Sequence, residues 1–556
     1  MTAMPLSDRH LREWLWFVVG LGAVLRFQGL GWDHGLILNP DERNIISAAA
    51  RLSYPDHLVS DFSAYNGLAL YLPRYFAALI SPLTGTAGSD PASIQFAGRV
   101  LSALWSSLTL AVLARIAWRS FGPRVALFVA ICASVSPALI QSAHFLTTEA
   151  GLILCLCAII QLCQCYSRGE ISLLRFGLLS GAIVGLGFGL KTTALVFALC
   201  PVAAVACSIR GRDQVVEAIK AGAAAAVAVL VLALVTTPQL WATPGAYFDT
   251  MRFEGGVVRG TTDVFWTYQF VGTVGGLFEV SQLPWLLGPM VPALGLAGMV
   301  AHVLDLRRGH NRIALEYVPA FAFTIVYAAI VCSWHAKFVR YLAPLLPLLI
   351  LFSGYFISQL RVGSTRAGVM LATGLVTGLA GLMQATIYQK PDPRIAAWDW
   401  MLPRLTAGDG VAVEPADVGP PYWIPSATPL TTKMLPLLAV SSPDKIARMA
   451  EVLADSRWLI VASRRHYSVL PRLLSRFPEM CPYYAALWSG KLGYQLVATF
   501  RRRAALPPLL DPTGQAEETF TVFDSPQVFI FEKTVPLAVP ALVSAISDPA
   551  SCAPKH

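Results

Sequence analysis

Apolar runs of about 17–22 residues recur along this chain, and a run of that length is what a helix needs to cross a lipid bilayer. They lie near residues 13–31, 96–117, 122–142, 148–166, 172–190, 192–209, 216–236, 284–304, 314–333, 341–359 and 367–387, about eleven in all. Inside hydrocarbon no water satisfies the backbone, so these segments must be helices. The composition agrees. Of 556 residues, 55% are hydrophobic and only 13% charged, about half the charged share of a soluble domain. The expected fold is an α-helical polytopic membrane protein.

The formal net charge is +9, but its placement matters more than its size. Basic residues gather in alternate short connections, among them Arg9 and Arg12, then Arg115, Arg119 and Arg124, then Arg210, Arg212 and Lys220, then Arg307, Arg308 and Arg312. Such clustering marks cytoplasmic loops, and gives no reason to expect nucleic acid as a partner. It puts the N-terminus in the cytoplasm and the C-terminal tail outside. The run from Trp14 to Leu30 has no small-residue cleavage site, so it reads as a retained anchor. Two long outer loops follow, at about 32–95 and 237–283. Within them 68–83 and 263–280 read as helices lying in the outer interface.

From Gln389 onward the texture changes. Short β-rich runs (Gly410–Glu414, Trp458–Ser463, Val528–Phe531) alternate with helical patterns such as Ser442–Leu453. The expected division is therefore a transmembrane domain at 1–389 and an extracytoplasmic α/β domain at 390–556. Cys481 and Cys552 fall in that tail and could pair in an oxidising compartment. Most other cysteines lie inside apolar runs, where they act as small hydrophobes.

With this topology the outer surface collects Asp41, Glu42, Asp61 and Arg74 from the first loop, and His144 and Glu149 from the second turn. Lys191 follows, then His335, Lys337 and Arg340. Acids come mainly from early segments and cations mainly from later ones. An acid pair facing cations suits a phosphate-bearing substrate, with one carboxylate left as a base. Plainer readings stand beside this one. Lys191 can snorkel, Lys337 and Arg340 can anchor the interface with Tyr341, and His144 can be a hydrogen-bonded structural residue. Gly185, Gly187 and Gly189 follow no strand, so they read as close helix packing rather than a dinucleotide fingerprint. Arg26 is expected to snorkel outward or pair with a loop acid.

The order of these features resembles the GT-C membrane glycosyltransferases, specifically glycosyltransferase family 39, as a bacterial member. That family includes protein O-mannosyltransferases and the aminoarabinose transferases that modify lipid A. The matching pieces are Leu25-Arg26 with Pro40-Asp41-Glu42, Arg99, Ser136-Pro137, the turn ending in Glu149, Gly189-Leu190-Lys191-Thr192, and Lys337-Phe338-Val339-Arg340-Tyr341 running on to Pro347. The resemblance implies a membrane enzyme of cell-envelope glycosylation, multi-pass in the cytoplasmic (inner) membrane. It would move a sugar from a polyprenyl-phosphate donor to an acceptor lipid, glycan or protein on the extracytoplasmic face, with inversion. Asp41 would be the general base, Glu42 would support the acceptor, and Glu149 would orient. Arg74, Lys191, Lys337 and Arg340 would hold the donor phosphate. His144, His335 and Asp61 become substrate or metal contacts. A divalent cation could sit between His335 and the acids, though the spacing does not demand one. The alternative is a transporter or flippase for a lipid-linked or anionic solute. That reading expects charge at mid-membrane on broken helices and an inverted repeat, and this sequence shows no repeat.

Overall fold

The computed structural model describes residues 8–309, 312–415, 419–421, 431–503 and 511–552. The chain clusters into two compact units. The first comprises Met1–Gly31, Asp41–Arg259 and Val274–Gln389, and the second Trp32–Pro40, Gly260–Thr273 and Lys390–His556.

In chain order the helices of the first unit are α1 (Asp8–Phe27), α2 (Pro40–Ala50), α3 (Gly67–Thr84), α4 (Pro91–Phe121), α5 (Pro123–Ser134), α6 (Pro137–Ala143), α7 (Glu149–Ser167), α8 (Leu173–Leu190) and α9 (Leu199–Ser208). They continue with α10 (Arg212–Thr236), α11 (Gln239–Ala242), α12 (Pro244–Arg259), α13 (Leu277–Leu287), α14 (Met290–Arg308), α15 (Arg312–Cys332), α16 (Leu346–Gln359) and α17 (Ser364–Ile387). Every apolar run in the sequence holds a helix. Among the described residues eight helical segments are long and apolar enough to cross a membrane, and the bent α5–α6 pair makes a ninth. The apolar stretch Thr192–Ser208 is shorter, and α1 carries Arg12, Glu13 and Arg26 along its length. The expected interfacial helix over 263–280 is not continuous. A 3₁₀ turn at Phe265–Phe270 gives way to α13 only at Leu277, because Gly272 and Gly276, at φ of 77° and 82°, take the left-handed backbone.

Proline breaks one apolar run into α5 and α6, bent by 58°. Pro137 has no N–H, so the carbonyl of Ala133 loses its helical partner. Arg26 takes that place, donating to the carbonyls of Ala133 and Ser134 at 3.0 Å each, to Gly22 at 2.8 Å and to Ser106 Oγ at 2.7 Å. It is wholly buried. The expectation that it snorkels or meets a loop acid is therefore corrected: orphaned carbonyls inside the bundle outbid the interface. The glycine expectation holds. A Cβ on Gly185 would lie 2.8 Å from Leu232, and one on Gly189 2.4 Å from Thr236 Oγ1. Gly177 and Gly181 continue the same stripe along α8, letting α10 approach to backbone contact.

The second unit is built on a five-stranded sheet: β1 (Gly410–Val413), β2 (Thr431–Met434), β3 (Trp458–Val461), β4 (Tyr494–Phe500) and β5 (Val528–Lys533), in the order β2-β1-β3-β5-β4. The first three strands are parallel, and β5 runs antiparallel to β3 and β4. β1 and β3 are apolar and buried along their whole length, as strands covered on both faces must be. Helix Pro443–Ala454 is capped by Ser442, whose hydroxyl accepts from the Lys445 amide at 3.1 Å. Its Met449 and Leu453 pack with Leu459, Tyr483 and Tyr494. Cys481 and Cys552 are joined in a disulfide. Buried Arg394 and Arg502 hold the segment at residues 32–40 by its backbone, donating to Leu38 O at 2.9 Å and Trp32 O at 2.7 Å.

Candidate active site

Pro40 opens α2 and puts two carboxylates in its first turn, where the free amides and the dipole favour them. Adjacent residues on a helix point about 100° apart, and the two acids part accordingly. Glu42 is fully buried and takes Arg99 from α4 in a bidentate pair, at 2.8 and 2.6 Å. It also accepts from Gln95 at 3.1 Å and from the Leu146 amide at 2.6 Å. Arg99 in turn donates to Leu30 O at 2.7 Å. This network pins α2 to α4 and to the turn before α7. Glu42 is thus held within the packing between α2 and α4.

Asp41 faces the other way and forms an ion pair with Arg340, the two side chains 20% and 25% exposed. Arg340 sits on the 3₁₀ segment Val339–Leu345 that leads into α16. Close by, Glu149 at the first residue of α7 meets Lys191, with Nζ 3.6 Å from the carboxylate. Lys191 is the residue at which α8 stops. It is extended, with its amide donating to Gly187 O at 2.9 Å. Tyr341 ties the pairs together: its ring centroid is 5.8 Å from the Arg340 guanidinium and 5.9 Å from Lys191 Nζ. Glu149, Lys191, Arg340, Tyr341, Tyr327 and Trp334 line one small pocket.

Two further residues belong here that the sequence reading passed over. Tyr65 lies with its ring 5.7 Å from Lys191 Nζ. Burial, with Asp41 adding to it, holds its phenol well above the ordinary range, so it remains a donor. Glu254, on α12, feels Arg340, Lys191 and Asp41. Burial raises its carboxyl above the usual value and Asp41 adds to this, against the two cations. In the sequence Glu254 stands as an isolated acid in Phe253-Glu254-Gly255-Gly256, within the second long outer loop. The helix is placed by Tyr247, which donates to Asn66 at 3.0 Å, and by Val258 O, which accepts from the amides of His335 and Ala336 at 2.9 and 3.1 Å.

Several expected site residues stand apart from this group. Arg74 donates to the backbone carbonyls of Leu52 at 3.1 Å and Gly88 at 3.0 Å, and so braces the first loop. Lys337 lies outside the 3₁₀ segment that carries Arg340, which begins only at Val339. Lys337 is nearly buried and donates to His335 O within its own loop at 3.0 Å. His335 is kept below its ordinary pKa by burial and by Lys337. His144 is buried, stacked on Tyr388 with centroids 3.7 Å apart, and bonded to Ile140 O at 2.8 Å and Gln28 O at 2.9 Å. Asp61 is exposed and paired with Arg51 at 2.7 Å. Among the described residues no three His, Cys, Asp or Glu side chains gather as a metal site would require.

Chemically, the group offers two cations lining one pocket, each paired with a carboxylate. Residues 72–241 match the family model described as dolichyl-phosphate-mannose-protein mannosyltransferase. The matched segment runs from α3 to α11 and includes Glu149 and Lys191, while Asp41 and Arg340 lie outside it. The class that this segment resembles is the GT-C membrane glycosyltransferases, the same class to which the sequence motifs pointed.

Among solved structures, the chain is similar to the oligosaccharyltransferase of Archaeoglobus fulgidus, with 12% identity, a TM-score of 0.49, and coverage of 85% of this chain and 72% of that one. It is also similar to ArnT from Cupriavidus metallidurans bound to undecaprenyl phosphate, with 13% identity, a TM-score of 0.47, and coverage of 93% and 98%. A third likeness is to the mycobacterial arabinofuranosyltransferase AftD, with 14% identity, a TM-score of 0.36, and coverage of 96% and 40%. No curated protein sequence matches the chain.

Proposed function

We propose that this protein is a membrane glycosyltransferase that moves a sugar from a polyprenyl-phosphate donor to an acceptor on the extracytoplasmic face, with inversion at the anomeric carbon. The observation that carries the reading is the pairing of Asp41 with Arg340 and of Glu149 with Lys191 in one partly open group. The donor phosphate enters between Arg340 and Lys191 and takes over their contacts. Charge-assisted bonds of this kind contribute about 1.5–3 kcal/mol each. Asp41, released from Arg340, then accepts the proton of the acceptor hydroxyl. The acceptor oxygen bonds to the anomeric carbon as the carbon–oxygen bond to the phosphate breaks, and the electron pair leaves with the polyprenyl phosphate. Glu149 orients Lys191, and Tyr65 stays protonated to donate a hydrogen bond. The Cys481–Cys552 disulfide supports an extracytoplasmic second unit, since such bonds persist in oxidising compartments.

The test is transfer in proteoliposomes holding the purified chain, a panel of polyprenyl-phosphate sugars and membrane acceptors. Sugar released from the donor and found on the acceptor supports the reading. Movement of the intact lipid-linked sugar between leaflets, with no transfer, would replace it with the flippase reading. A divalent cation is added or chelated in parallel to measure metal dependence.

A further inference from the structure

A second, larger feature lies at the other end of the helices. α1 and α4 flank an open cleft of about 580 Å³. Along α4 the lining residues Leu108, Ala111, Val112, Arg115 and Arg119 fall at the spacing of one helical face. From α1 come Arg12, Leu15 and Trp16. The lining is therefore sorted by depth. Leu15, Trp16, Leu108, Ala111 and Val112 form an apolar wall, and Arg12, Arg115 and Arg119 lie towards one end with Trp118. At 1.5 Å per residue, Leu108 to Arg119 rises about 16 Å, close to half the roughly 30 Å hydrocarbon thickness of a bilayer. Arg115 lies about 24 Å along α4 from Arg99, the residue that pins Glu42, so the cleft is separate from the Asp41–Arg340 group.

The three cations are not equivalent. Arg119 is engaged by Glu170 and by Cys165 Sγ at 3.3 Å. Arg12 and Arg115 are exposed and have no partner among the described residues. Positive residues at a helix end are ordinary topology signals. Here two such guanidiniums, from different helices, line the same cleft as an apolar wall about half a bilayer long. The occupant must carry a phosphate-level anion and acyl chains at once.

We propose that the α1–α4 cleft binds an anionic phospholipid, with its phosphate on Arg12 and Arg115 and an acyl chain along Leu15, Leu108 and Ala111. The site is independent of the proposed transferase reaction and stands or falls without it.

The test is native mass spectrometry of the full-length protein, delipidated in detergent and titrated with phosphatidylglycerol or phosphatidylcholine of the same acyl chains. Wild type retains one phosphatidylglycerol with about tenfold or greater preference over phosphatidylcholine, given the electrostatic attraction of two arginines. Arg12→Gln/Arg115→Gln loses that preference, and Arg12→Lys/Arg115→Lys keeps most of it. Ala111→Trp leaves all three arginines in place but fills the apolar wall, and it too loses the bound lipid. Equal retention of the two lipids by wild type overturns the proposal, as does undiminished preference in the Gln pair. Displacement of phosphatidylglycerol by inorganic phosphate alone would show an anion site without a lipid, and displacement by equimolar polyprenyl monophosphate a carrier site. Either result also overturns it.

Discussion

Asp41 and Arg340 are 299 residues apart in the chain and form an ion pair while both side chains remain partly open to solvent. The pair is partly buried, with 20% and 25% of the two side chains accessible. Its neighbours Glu149, Lys191, Tyr65 and Glu254 turn it into a set of charges that can be rearranged by a ligand.

Asp41→Asn should give a folded, membrane-inserted protein that has lost most sugar transfer. Removing a general base costs about 10²–10⁴-fold in rate. Turnover of the purified variant near the wild-type value would rule Asp41 out as the base.

Lys191→Ala and Arg340→Ala should each weaken the apparent donor affinity by about tenfold to a hundredfold, at about 1.4 kcal/mol per tenfold. Arg74→Ala should leave donor affinity nearly unchanged, because its guanidinium already holds Leu52 O and Gly88 O. Donor titration of the three purified variants checks this. A large effect from Arg74 with none from Lys191 would move the phosphate elsewhere.

Arg99→Ala leaves the buried Glu42 carboxylate without its bidentate partner. Breaking a buried pair from one side costs about 3–5 kcal/mol, so the variant should unfold at a markedly lower temperature in detergent. Arg51→Ala, which breaks the exposed pair with Asp61, should change the midpoint little. Equal midpoints for the two would contradict the burial argument.

Glu254 gives a pH signature of known sign. Its folded carboxyl is raised above 4.5, chiefly by burial. The folded state therefore binds its proton more tightly than the unfolded one, and stability falls as pH rises from about that value through the folded pKa. Glu254→Gln should remove this loss, so its thermal midpoint should gain on wild type between pH 4 and 7. Parallel curves would show that Glu254 is not displaced from its ordinary titration.

Sidedness is tested by thiol labelling, keeping the Cys481–Cys552 disulfide and replacing the free cysteines. A cysteine at Ser364 should be shielded from an impermeant reagent in intact cells, and one at Gly408 should react. The reverse pattern would overturn the proposed orientation and with it the outer placement of the candidate site.

What the sequence determined by itself was whatever depends on local composition. Hydrocarbon-length runs leave helix as the only option, so every one of them holds a helix. Pro40 before Asp41-Glu42 specifies a helix start, and the buried apolar runs at Gly410–Val413 and Trp458–Val461 specify strands. Gly185, Gly187 and Gly189 likewise announce close helix contact, to which the fold adds Gly177 and Gly181. Tertiary structure decided what each charge does, because a charge is assigned by the partners that reach it and those come from distant segments. Arg26 turned inward to carbonyls freed by Pro137, Glu42 turned to Arg99, and Arg74 to Leu52 and Gly88. Only folding brought Glu254 and Tyr65 to Asp41 and Arg340. Lys337 and Arg340 are three residues apart, yet Lys337 precedes the 3₁₀ segment and bonds within its own loop, while Arg340 meets Asp41.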